Sequence, residues 1–179
     1  LHIIGDNSEV LANAQLNNGI IAVGKRGVTI QGNFVEKCES SSIHIAQCHD
    51  VKILHNTCFG YTWNNTVNGG SSADILLYGG VAGARILIQG NHCLSNHSAG
   101  ILVNTLGREN DVVIDSNICV TLDPTTCVEG GTWSEMVSPN RRHGITAAYN
   151  SNAVQCRTTI TNNVCRNTRW SGIYVQSSD

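Results

Sequence analysis

Residues 100–119 read Gly100-Ile101-Leu102-Val103-Asn104-Thr105-Leu106-Gly107-Arg108-Glu109-Asn110-Asp111-Val112-Val113-Ile114-Asp115-Ser116-Asn117-Ile118-Cys119. This stretch holds one unit of a repeat: a small residue followed by Ile-x-apolar, then a second short β-branched run, then Asn, then an apolar residue two places later. The first motif recurs as Gly19-Ile20-Ile21-Ala22, Ser42-Ile43-His44-Ile45, Asp74-Ile75-Leu76-Leu77, Gly144-Ile145-Thr146-Ala147 and Gly172-Ile173-Tyr174-Val175. The second recurs as Val28-Thr29-Ile30, Val51-Lys52-Ile53, Ile86-Leu87-Ile88 and Thr158-Thr159-Ile160. Three residues after its last apolar position stands Asn33, Asn56, Asn91, Asn117 or Asn163, and two further on Val35, Cys58, Cys93, Cys119 or Cys165.

Alternation at period two makes each of the three runs a short strand with one face inward. A repeat of this length cannot bury its inner face alone, so successive coils must stack into a continuous core. The spacing therefore predicts a right-handed parallel β-helix: all-β, three short strands per coil, about six coils. The Asn column is expected to form an amide ladder inside a turn, and the Cys column to stay as free thiols whose side chains point the same way. Leu1 to Asn7 reads as the end of an earlier coil. A sandwich of hairpins would need two-residue turns at regular spacing, and a leucine-rich solenoid its Leu pattern; neither occurs.

Composition agrees. The 179 residues include 18 Gly, 20 Asn and only 2 Pro, with 13% charged residues and a net charge of −2. Gly and Asn suit frequent tight corners. No basic run suggests nucleic acid, and no apolar run approaches the ~18 residues of a membrane span. The N-terminal residues lack a basic n-region and the only Met is Met136. The chain is thus expected to be a single β-helix domain over 1–179, cut from something longer. An extracellular or virion-surface setting suits that reading.

The Gly-Ile-x-Val strands, the Asn ladder and the third apolar strand resemble the pectate-lyase-like right-handed β-helix superfamily over nearly the whole chain. The stretches Asn140–Ile145 and Asn167–Ile173 are most similar to phage tail-spike and depolymerase β-helices. The resemblance implies that the Gly-Ile-x-Val strands form the first sheet and that the loops before them border a substrate groove. Two insertions fall in that connection, at about 60–72 and 122–142, and the second holds Pro124 and Pro139. Tyr61, Trp63, Trp133 and Trp170 lie in the same connection and offer flat faces for sugar rings. Arg141, Arg142 and Arg169 suit capture of sugar carboxylates. Glycosidases commonly use two carboxylates flanking the bond; Glu129 and Glu135 are the candidate acid and base or nucleophile. Each of these residues has a plainer reading as surface cover or solvated charge.

The Asp clusters of the superfamily's calcium-dependent lyases and pectin hydrolases are missing from the first sheet's outward positions, where only Asp74 is near. Those positions, Ile21, His44, Leu76, Leu102, Thr146 and Tyr174 in one row and Val23, Ala46, Tyr78, Asn104, Ala148 and Gln176 in the next, are apolar enough to predict an exposed patch and a homotrimer packed through it. The histidines are spread around the coils, so no metal and no cofactor is implied. The expected function is polysaccharide binding and glycosidic cleavage by hydrolysis or elimination. The alternatives are a non-catalytic trimeric fibre shaft or carbohydrate-binding adhesin, and a sugar epimerase.

Overall fold

The computed structural model describes residues 3–6, 18–38, 41–60, 73–79, 81–95, 99–105, 109–121, 143–149, 156–168 and 171–176. They form a right-handed parallel β-helix. The first coil comprises β2 (Ile20–Val23), β3 (Arg26–Gln31) and β4 (Phe34–Cys38). The second comprises β5 (Ile43–Ala46), β6 (Val51–Leu54) and β7 (Thr57–Gly60), and the third β8 (Ala73–Tyr78), β9 (Arg85–Gln89) and β10 (His92–Ser95). The fourth has β11 (Ala99–Thr105), β12 (Asp111–Asp115) and β13 (Ile118–Thr121). β14 (Ile145–Tyr149), β15 (Arg157–Thr161) and β16 (Val164–Arg166) make the fifth, and β17 (Ile173–Gln176) begins the sixth. Corresponding strands pair in three sheets: β2-β5-β8-β11-β14-β17, β3-β6-β9-β12-β15 and β4-β7-β10-β13-β16.

Stacking places like on like. Ile20, Ile43, Ile75, Ile101 and Ile145 form one buried column, and Ile30, Ile53, Ile88 and Ile114 another. Val35, Cys58, Cys93 and Cys119 line the third wall, all buried. At Gly100 the corner has no room for a side chain, since an added Cβ would lie 2.8 Å from both Cβ and Sγ of Cys119, whereas Ser42 and Asp74 fill the matching place in two other coils.

The turn into the third strand needs left-handed backbone at the residue before each Asn: Gly32, His55, Gly90, Ser116 and Asn162 all have φ between 53° and 66°. Glycine takes this conformation without steric penalty, whereas His55 and Ser116 hold it against their Cβ atoms. The following Asn completes the turn. Asn33, Asn56, Asn91 and Asn117 each donate from the backbone N–H and from Nδ2 to Oδ1 of the next Asn, at 2.9–3.0 Å.

One expectation fails at the first strand. β1 (Ile3–Asp6) pairs with β3 antiparallel, with Ile3 opposite Ile30 and Ile4 opposite Thr29. It covers the edge of the second sheet but is not the end of a parallel coil. A period-two pattern reads the same in both directions, so it predicts a strand here without fixing its polarity. Asn7 and the insertions at 60–72 and 122–142 lie outside the described residues, Gly60 excepted.

Candidate functional site

All nine residues singled out from sequence, Tyr61, Trp63, Glu129, Trp133, Glu135, Arg141, Arg142, Arg169 and Trp170, lie outside the described residues. The strands that flank them are described. The connections β7 to β8, β13 to β14 and β16 to β17 each leave the third sheet and enter the first. Each candidate therefore belongs to a connection anchored at one and the same corner of the column. The anchoring strands of the first sheet, β8, β14 and β17, span three coil spacings, or about 14 Å.

One of the two outward rows of the first sheet differs from the expected exposed patch. Ile21, Leu76, Leu102 and Thr146 are buried, and Leu76 and Leu102 pack with Ala73 and Ala99 in a satellite cluster outside the main core. An apolar row on the outside of a sheet is as readily a second layer as a docking face, and here it is shielded within the single chain. Val23 and Tyr78, one step along the strands, are about half exposed. His44 sits in the buried row with Nε2 lacking a hydrogen-bond partner, and burial pushes its pKa below the ordinary value. His143 stacks on Tyr174 with ring centroids 4.7 Å apart. Asp74 offers no surface carboxylate: it is fully buried, in register with the inward-facing Gly100 position.

The second sheet carries the most polar described face. Just before or at the start of β6, β9, β12 and β15 stand Asp50, Arg85, Asp111 and Arg157, in one column of alternating charge. Arg85 bonds Asp50 at 2.7 Å through both Nε and Nη2, and Arg157 grips Asp111 with Nε to Oδ1 at 3.1 Å and Nη2 to Oδ2 at 2.8 Å. Those donors hold both carboxyls below the ordinary carboxylate range. Asp115, four residues along β12, accepts from Gln89, Thr161, Asn162 and Ser116, which brings it down to about 2. A shallow groove of about 600 Å³ runs over this sheet, between the charged column and Lys52, Leu87 and Val113. Sequence reading missed the ladder, although its signal was present: an Asp or Arg at one register position of four successive second strands.

The third sheet's outer face is the apolar one. Phe34 is 67% exposed and Val164 39%, and Phe59, Leu94, Ile118 and Val120 are half-buried on the same side. Inside that sheet the thiols of Cys58, Cys93, Cys119 and Cys165 stack in register and form no disulfide, and neither do Cys38 and Cys48. Hydrogen bonds to Cys119 and Cys58, then burial, hold the Cys93 thiol well above the ordinary range. Among the described residues no group of His, Cys, Asp or Glu could hold a metal ion. Compared with known proteins, the chain matches no family model, no curated protein and no solved structure.

Proposed function

We propose that the chain is a polysaccharide-binding β-helix of the pectate-lyase-like type that cleaves glycosidic bonds, by hydrolysis or elimination, in the manner of a phage tail-spike depolymerase. The observation that carries this reading is the common corner. Three connections, each with one Trp, two of them with Arg and one with Glu129 and Glu135, enter the first sheet within about 14 Å of one another on a rigid column. In this reading the Tyr61, Trp63, Trp133 and Trp170 rings stack on sugars. Arg141, Arg142 and Arg169 pair with sugar carboxylates, and Glu129 and Glu135 supply acid and base or nucleophile.

The carboxylates of the second sheet do not compete for the acid's role. Asp50, Asp111 and Asp115 are all held ionised by hydrogen bonds, so none keeps the proton that a general acid carries at neutral pH. The same fact favours a second reading, a non-catalytic adhesin or fibre shaft, should the two glutamates prove idle.

The test is cleavage of a panel of acidic and neutral polysaccharides, following chain length, reducing ends and ultraviolet absorbance together. New reducing ends with absorbance identify a lyase, and reducing ends alone a hydrolase. Glu129→Gln and Glu135→Gln are expected to abolish the activity without loss of fold. Full activity in both variants removes the site assignment, and no shortening of any polymer favours the non-catalytic reading.

A further inference from the structure

The outward side chains of the third sheet form two columns. In one, Glu36, Phe59, Leu94, Val120 and Arg166 follow each other coil by coil: Glu36 is opposite Phe59, Leu94 opposite Val120 and Val120 opposite Arg166, while the Cys58–Cys93 pairing sets Phe59 beside Leu94. In the other, Phe34, Thr57, His92, Ile118 and Val164 follow in the same way. The first column thus has a carboxylate at one end, a guanidinium at the other and three apolar residues between. Glu36 and Arg166 are both exposed, and Phe34 is the most exposed large apolar side chain described.

This pattern is its own complement under one operation. Rotation by 180° about an axis parallel to the strands, lying just outside Leu94, turns the sheet to face itself with the column reversed. Glu36 of one copy then meets Arg166 of the other, Phe59 meets Val120, and Leu94 meets Leu94. In the neighbouring column Phe34 meets Val164. Isologous contacts are built in this way, with each unlike pair formed twice. We propose that the third-sheet face binds a second copy of this chain as a two-fold dimer. The proposal is independent of the sugar reading, and it moves self-association from the first sheet, whose apolar row is buried, to the third.

The described face measures roughly 19 Å by 13 Å, from four spacings between five strands and four residues of strand. That is small for an interface, so the dimer is reversible and shows at high concentration. Sedimentation equilibrium from about 10 µM to about 500 µM is the measurement. The mass is expected to rise from 19.2 kDa towards twice that value. Glu36→Arg alone and Arg166→Glu alone should each weaken the dimer by about tenfold, since each sets like charges together twice. An equimolar mixture of the two variants restores every unlike pair and should dimerise as the parent does. The doubly swapped chain should do so by itself. A monomer throughout, a trimer, a dimer indifferent to either reversal, or a mixture that fails to recover would each overturn the proposal.

Discussion

Asn91→Ala should be among the most damaging single substitutions in this protein, although it removes only a small polar side chain. Asn91 is fully buried. Its Oδ1 accepts from the backbone N–H and Nδ2 of Asn56, and its Nδ2 donates to the carbonyls of Ile53 and Gln89 and to Oδ1 of Asn117. Some of these partners are covered after truncation: Asn56 Nδ2 still reaches the Ile30 carbonyl, and Asn117 Oδ1 still accepts from the Asn91 backbone. The Asn56 N–H has no substitute. A buried donor left without an acceptor costs about 1–3 kcal/mol, and the other lost bonds add about 1–2 kcal/mol, for a total of roughly 2–5 kcal/mol. That is a large share of the ~5–15 kcal/mol that stabilises an ordinary domain. Asn163 makes the same bonds to Asn117 but is only half-buried, so water can replace its side chain, and Asn163→Ala should cost only about 1–2 kcal/mol. Urea denaturation of the two variants measures both, as a drop in midpoint at unchanged slope. A loss below about 1 kcal/mol for Asn91→Ala, or equal losses at the two positions, would refute the ladder as a structural necessity.

Gly100→Ala should destabilise by about 1–3 kcal/mol through overpacking against Cys119, and changes in the denaturation midpoint will show it. Ser116→Gly should stabilise by up to about 1 kcal/mol, because glycine relieves the left-handed backbone at φ 55°; a loss of stability would mean that the Ser116 hydroxyl bond to Asp115 matters more. The Asp115 carboxyl should titrate near 2 in the folded protein by carbon-detected NMR. Its folded pKa is lowered, so its contribution is complete above about pH 4 and fades as the pH falls towards 2. Asp115→Asn should flatten that acid limb. The Cys58 and Cys93 thiols, both fully buried, should resist a thiol reagent at pH 8 until the chain is unfolded; rapid modification of either in the folded chain would contradict the stacked column.

Nearly every strand of the column was legible in the sequence because the inner face is specified redundantly. Ile43 is buried by Ile20 on one side and Ile75 on the other, so each coil repeats the requirement of its neighbours. The same holds for Asn56 and for Cys93. The direction of β1 was not legible, because it has one partner and no stack to set its polarity. The candidate site was legible only as composition in one type of connection, since an inserted loop has no repeat against which to check its reading.

The outward rows resist reading for a related reason. A side chain on the outside of one coil places no demand on the next unless something covers both. Leu76 and Leu102 are covered and Phe34 is not, yet each is one apolar residue at an outward position. What separates them is the pattern along the column rather than along the chain. The Leu76–Leu102 row ends in Thr146 and Tyr174 and has no charge at either end. The row through Leu94 ends in Glu36 and Arg166, and the second sheet's edge row alternates Asp and Arg. The Asp and Arg of the second sheet pair with each other along their column, whereas Glu36 and Arg166 stand at opposite ends of theirs. In a solenoid the columns therefore carry the functional information, and they become visible only once the inner repeat has fixed the register.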